Sequence, residues 1–182
     1  MIVTSDVNLG VKFLNLGKVI IYPTDTVYGI GCRINFSDSI KRIFEIKKRK
    51  FDKPLSVAFH DLNQLKEFVI LNEKQENFIK EHLNLPYTFI VEKNPEKISD
   101  IITGNKNFVG VRIINHEIVR ELTKEYPIIT TSANLSGKPP AKSFEEIDNE
   151  IAEKVDLILK GECKHKKPST VIDLIKFKII RE

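Results

Sequence analysis

The β-prone runs of this chain do not alternate with helical segments in any regular order, and that irregularity constrains its fold more than any other feature. Val19-Ile20-Ile21-Tyr22 is broken by Pro23, after which Tyr28-Gly29-Ile30-Gly31 resumes an extended path. Leu55 to Phe59, Thr88 to Val91, Phe108 to Ile114, Ile128 to Thr131, Leu157 to Leu159, Thr170 to Leu174 and Phe177 to Ile180 are further β-branched or aromatic segments. Helical spacing occupies Val7 to Leu14 with Gly17 as its stop, and residues 61 to 69, 73 to 83 and 116 to 125. Ser37 reads as the N-cap of a helix with the stripe Ile40, Ile43 and Phe44, whose end carries Lys47-Lys48-Arg49-Lys50. Ser143 and Glu146 read as a capping box opening a helix to about Val155. Strands follow one another in places and alternate with helices elsewhere, which predicts a mixed α/β (α+β) fold, a twisted mixed sheet flanked by helices. No linker or internal repeat is visible, so residues 1–182 are expected to form one domain.

The composition, 41% hydrophobic and 30% charged, excludes collagen-like, low-complexity and globally disordered classes. No apolar run approaches the ~18 residues of a membrane span, and Met1 to Gly10 lacks a basic start followed by an apolar stretch, so a cytoplasmic protein without membrane contact is expected. Cys32 and Cys163 form no CxxC pair, and His60, His82, His116 and His165 lack ligand spacing, so no metal site is expected. Gly17-Lys18 is not a P-loop, because Gly10 is too distant and Val19 stands where Ser or Thr is required. Gly29-Ile30-Gly31 lacks the third glycine of a dinucleotide fingerprint, and neither HExxH nor GxSxG occurs.

Four segments carry polar chemistry. Pro23-Thr24-Asp25-Thr26-Val27-Tyr28-Gly29 is a turn at a strand end, able to hold a small amphoteric ligand or simply to satisfy its own backbone. Lys47-Lys48-Arg49-Lys50, followed by Lys53-Pro54-Leu55, suits phosphate neutralisation or a solvated helix end. Thr130-Thr131-Ser132-Ala133-Asn134-Leu135-Ser136-Gly137 puts hydroxyls and an amide at the carboxyl end of a buried strand, where α/β sheets commonly place ligands. Lys164-His165-Lys166-Lys167-Pro168-Ser169-Thr170 is a basic loop leading into a strand headed by two hydroxyls. The formal net charge of +4 is compatible with an anionic ligand.

Together with Val109-Gly110-Val111-Arg112, Ser169-Thr170-Val171-Ile172-Asp173 and Ile180-Arg181, these segments resemble the YrdC-like family of threonylcarbamoyl-adenylate synthases, from about Gly17 to Arg181. The resemblance implies a twisted sheet with a basic concave pocket. It further implies synthesis of L-threonylcarbamoyl-AMP and pyrophosphate from L-threonine, bicarbonate and ATP, with Mg2+ carried on the nucleotide. The product would pass to a tRNA threonylcarbamoyl transferase complex, with tRNA itself a candidate partner. By motif, Lys47, Arg49, Ser132 and Asn134 match the family's polar tetrad in the nucleotide site. Thr26, Lys53, Arg112 and Thr131 match L-threonine positions, and Thr88, Ser136, Ser169 and Arg181 further ATP positions. Leu85-Pro86-Tyr87 departs from a common Pro-Gly-Pro before Thr88, and Ile114 stands where a proline is common.

The implied reaction joins two anions, a threonine carbamate and a triphosphate, so it demands charge neutralisation and alignment more than a strong base. Carbamates and mixed anhydrides decompose in water, so a loop should close the pocket; Cys163 to Pro168 is the expected one. A non-catalytic module gripping double-stranded RNA or tRNA is the alternative, weakened by the absence of Trp and of RNA-stacking motifs. A carbamoyl-transfer domain, as in hydrogenase-maturation proteins, is a third reading.

Overall fold

A computed structural model describes all residues, 1–182. In chain order its elements are β1 (Ile2–Thr4), α1 (Val7–Asn15), β2 (Ile20–Tyr22), β3 (Gly29–Gly31), α2 (Ser37–Ile46), β4 (Ser56–Phe59), α3 (Leu62–Phe68), β5 (Val69–Ile70) and α4 (Glu73–Glu81). There follow β6 (Tyr87–Lys93), α5 (Asp100–Thr103), β7 (Phe108–Ile113), α6 (Glu117–Thr123), β8 (Ile128–Ser132), a 3-10 turn (Phe144–Glu146), α7 (Asn149–Ala152), β9 (Leu157–Leu159), β10 (Thr170–Asp173) and β11 (Lys178–Arg181). The strands form one 11-stranded sheet in the order β1-β9-β2-β3-β8-β4-β7-β6-β10-β11, with β5 paired to β6. It is mixed: β4 and β7 run parallel, as do β6 and β10, while β8 is antiparallel to both β3 and β4. No helix is long and apolar enough to cross a membrane.

Because successive strand side chains point to opposite faces, each strand feeds two layers. Ile21, Ile30, Val57, Phe89, Val91, Val109, Val111, Ile129 and Ile158 face one side, where they join a 35-residue core cluster with side chains from α2, α3, α4, α5 and α7. Their neighbours Ile20, Tyr22, Ala58, Ile128, Leu157 and Leu159 face the other side, in a 10-residue cluster under α1 and α6. Burying side chains such as Leu14 and Leu122 there stabilises the packing by roughly 1.5–3 kcal/mol each. The rest of this second face, from Ser56 of β4 across β7 and β6 to Val171 of β10, opens into a cavity instead. That gap positions the site.

Local differences from the sequence reading have physical causes. Ser37 is the first helical residue of α2; Phe36 is the cap residue, and no side chain caps it. α2 ends at Ile46, so Lys47 to Lys50 lie beyond its last turn. The Ser143 capping box does not form: no side chain caps the turn, Glu146 Oε2 accepts the Lys142 N–H at 2.8 Å instead, and Ile147 adopts an extended backbone that ends the run. α7 instead starts from Asp148, which accepts the Glu150 N–H at 2.9 Å. β1 and α5 were invisible in the pattern: β1 exists by pairing in parallel with β9, and α5 is a single turn closed by Gly104 in the left-handed region.

Candidate active site

The uncovered part of the second face is the floor of a cavity of about 590 Å³. Strand alternation delivers its lining: Ser56 from β4, Thr88 and Ile90 from β6, Phe108, Gly110 and Arg112 from β7, Thr130 and Ser132 from β8, Val171 from β10 and Arg181 from β11. Gly110 keeps the floor low. A Cβ there would sit 2.9 Å from Ser56 Oγ and 3.2 Å from Thr88 Cγ2.

At the deep end, Arg112 is 7% exposed and Asp25 3%, and the Arg112 guanidinium donates to the Asp25 carboxylate at 2.8 Å. It also donates to Thr26 Oγ1 at 3.2 Å and to the Tyr87 carbonyl at 3.4 Å. Thr24 organises the turn: its hydroxyl donates to the Val27 carbonyl at 2.7 Å and accepts the Thr26 N–H at 3.0 Å. The turn thus satisfies its own backbone and also presents Thr24 and Thr26 to the cavity. Such buried ion pairs are costly to assemble and costly to break. Here the pair fixes a guanidinium edge and two hydroxyls in one place.

A second wall comes from the turn after α2. Lys48 adopts a left-handed conformation (φ 49°), the Lys48 N–H reaches the Glu45 carbonyl at 3.0 Å and the Arg49 N–H reaches the Phe44 carbonyl at 2.8 Å. This is a helix stop of the Schellman kind made without glycine, at a conformational cost of roughly 1–2 kcal/mol. Its effect is to send Lys47 and Arg49 different ways. Arg49 lines the cavity, braced on the Lys53 carbonyl at 3.2 Å and the Pro54 carbonyl at 2.8 Å. Lys47, 1% exposed, turns inward beneath the 132–136 loop. Its ammonium donates to the Ser132 carbonyl, to the Asn134 carbonyl at 2.8 Å and to Asn134 Oδ1 at 3.4 Å. Burial, and to a smaller extent the Arg49 charge, push the Lys47 ammonium down to about 7. Ser132 Oγ in turn donates to Asn134 Oδ1, so the wall hydroxyl is held by the Lys47–Asn134 network.

The far rim is built on β6, β10 and β11. Thr88 and Ser169 share a hydroxyl hydrogen bond of 2.7 Å, and Arg181 donates to the Ser169 carbonyl at 2.8 Å and to its hydroxyl at 3.3 Å. Burial, then the Arg112 charge, lowers the Arg181 guanidinium from its ordinary value; burial does the same to Arg49, and both stay charged at neutral pH. The loop from Gly161 to Ser169 passes beside the cavity and is pinned from three sides. Tyr28 donates to the Gly161 carbonyl at 2.6 Å, His116 Nε2 to the Glu162 carbonyl at 3.0 Å, and the His165 N–H to the Asp25 carbonyl at 2.8 Å.

Of the residues singled out from the sequence, Thr26, Arg49, Thr88, Arg112, Thr131, Ser132, Ser169 and Arg181 line this one cavity. Lys47 and Asn134 stand behind the wall. Lys53 and Ser136 are exposed and line no part of it. Ser56 and Lys106 were not anticipated; Ser56 is legible afterwards as the polar position inside Leu55-Ser56-Val57-Ala58-Phe59, whereas Lys106 sits in a loop without pattern. Arg49, Lys106, Arg112 and Arg181 line the cavity and no Asp or Glu does, a charge balance that favours an anionic ligand. No group of three or more His, Cys, Asp or Glu side chains could hold a metal ion.

The Sua5/YciO/YrdC family model, described as telomere recombination, matches residues 12–182. The chain belongs to this family. A Methanocaldococcus jannaschii protein is 39% identical over 165 residues, covering 90% of this chain and 78% of its own. A Vibrio campbellii protein named threonylcarbamoyl-AMP synthase is 31% identical over 177 residues, covering 94% of this chain and 95% of its own. Among solved structures, Pyrococcus abyssi Sua5 complexed with L-threonine superposes with a TM-score of 0.89 at 32% identity, covering 98% of this chain and 55% of the Sua5 chain. This chain thus spans about half the length of that relative. The mixed, helix-flanked sheet expected from the sequence is the architecture of these Sua5/YciO/YrdC relatives.

Proposed function

We propose that this Sua5/YciO/YrdC chain is an L-threonylcarbamoyl-AMP synthase. The observation that carries the reading is the cavity itself: cations and hydroxyls from five strands, no carboxylate in the lining, and a glycine floor between a buried guanidinium and an open mouth. Relatives that bear the synthase name, and one solved with L-threonine, support it over an RNA-binding module.

In this reading Arg112, Thr26 and Thr131 hold the carboxylate and hydroxyl of L-threonine at the deep end. The threonine amine combines with bicarbonate, losing water, to give a carbamate. A carbamate oxygen then attacks the α-phosphorus of ATP; the new P–O bond forms as the α–β bridging P–O bond breaks, and pyrophosphate leaves. Arg49, Ser132, Thr88, Ser169 and Arg181 bind the nucleotide, each charged hydrogen bond contributing roughly 1.5–3 kcal/mol. Lys47 and Asn134 act on the wall by fixing Ser132. Lys53 and Ser136 receive no role.

With no carboxylate in the lining, Mg2+ would arrive on the triphosphate, supplying charge neutralisation there. The pinned 161–169 loop limits water access to the labile carbamate. We further place the chain in the cytoplasm, acting as a single unit whose product passes to a tRNA threonylcarbamoyl transferase complex, with tRNA a candidate contact. The test is incubation with ATP, Mg2+, bicarbonate and each amino acid in turn, followed by mass spectrometry. Threonylcarbamoyl-AMP and an equivalent of pyrophosphate are expected with L-threonine. No adenylate with any amino acid would overturn the reading.

A further inference from the structure

We propose that Lys106 receives the β- and γ-phosphates at the cavity mouth and holds them as the leaving group departs. This rests on the reading that the cavity takes ATP. The three arginines of the lining each spend part of their donor set within the protein: Arg112 on Asp25, Thr26 and the Tyr87 carbonyl, Arg49 on the Lys53 and Pro54 carbonyls, and Arg181 on Ser169. Lys106 also lines the cavity, and its exposed ammonium makes no hydrogen bond or ion pair within the protein. It is a cation free to take a partner from outside.

Its placement is built. After α5 the chain passes through two consecutive left-handed residues, Gly104 (φ 59°) and Asn105 (φ 62°), and so turns back toward β7. A Cβ on Gly104 would sit 2.7 Å from the Asp52 carbonyl oxygen, so only glycine lets this loop rest on the 51–53 turn. The Leu55 N–H adds a hydrogen bond of 2.8 Å to the Ile102 carbonyl. The segment bearing Arg49 and the loop bearing Lys106 are therefore locked together at the mouth.

The direction follows from phosphoryl chemistry. Attacking and leaving oxygens lie roughly in line on opposite sides of the phosphorus. The nucleophile approaches from the Arg112 end. Along β7, Arg112, Gly110 and Phe108 share a face, so an α-phosphorus over Gly110 sends its leaving group toward Phe108 and the loop that precedes it. Lys106 stands there.

Binding of ATP, AMP and pyrophosphate, each with Mg2+, to the wild-type chain, Lys106→Ala and Lys106→Arg separates the outcomes, with adenylate synthesis by the wild type as an independent readout. Loss of one charge-assisted hydrogen bond should weaken ATP and pyrophosphate by about tenfold or more in Lys106→Ala while changing AMP by less than about twofold, and arginine should restore most of the loss. Unchanged ATP and pyrophosphate affinity, or an equal loss for AMP, overturns the assignment while wild-type synthesis leaves the functional reading standing. A wild-type chain that binds no ATP overturns both.

Discussion

The same strands behave oppositely at the two ends of the second sheet face. On β8, Ile128 is buried under α1 and α6, whereas Thr130 and Ser132, two and four residues further along, open into the cavity. On β4, which runs antiparallel beside it, Ala58 is in the covered cluster and Ser56 is in the site. One face, one set of strands and one twist serve as core and as cavity wall. What changes is whether a helix lies above. The polar residues of the open end stay compact because they are tied to each other, through Arg112 and Asp25, Thr88 and Ser169, and Lys47 and Asn134. The covered end needs no such ties, since burial of apolar surface does the work.

Removing the strongest of those ties should have the largest effect. Arg112→Ala leaves Asp25 buried and unpaired, and should cost about 3–5 kcal/mol in urea unfolding. Its residual adenylate synthesis should fall at least about 100-fold. A loss below about 1 kcal/mol would show that the open end is not held by this pair. Next comes a matched exchange on β4. Ala58→Ser buries a hydroxyl in the covered end and should cost about 1–3 kcal/mol, while Ser56→Ala in the open end should stay within about 0.5 kcal/mol. Equal costs would erase the distinction between the two ends.

Gly110→Ala sharpens the comparison from the side of function. The added methyl crowds Ser56 and Thr88 on the cavity floor and should lower kcat/KM by about tenfold, with Ser56→Gly in the same chain recovering part of it. A further test concerns pH. Lys47 has its ammonium pushed down to about 7, below its unfolded value of ~10.4, so above pH 7 the folded chain sheds a proton that the unfolded chain keeps. Stability should therefore rise with pH between about 7 and 10 relative to Lys47→Met, measured as the difference in urea midpoints at pH 6.5 and 8.5. The opposite slope would mean that the three oxygens around the ammonium outweigh its burial.

The alternating and β-branched runs marked nearly every long strand, because a residue's face in a sheet is fixed by period two. The Pro23-to-Gly29 turn and the Ser132-to-Asn134 turn were legible for the same local reason: their hydroxyls sit at strand ends. What pairs with them was not. Asp25 meets Arg112 across 87 residues of sequence, a consequence of sheet order that no local pattern encodes. Lys47 and Arg49 look alike in the sequence, yet the left-handed Lys48 buries one beneath a loop and aims the other into the cavity. Lys106 belongs to the site only because the α5–β7 loop folds onto Asp52. The capping-box signature at Ser143 misled because it reads spacing, while the extended Ile147 packs into the large core cluster.

The most direct test of the central claim is amide chemical-shift mapping of the 15N-labelled chain titrated with L-threonine and then with Mg-ATP. Shifts should cluster at Thr24, Thr26, Gly110, Arg112 and Thr131 on threonine addition and spread to Arg49, Thr88, Ser132, Ser169 and Arg181 with the nucleotide. Perturbations confined to the opposite face of the sheet, around α2 to α4, would contradict the account.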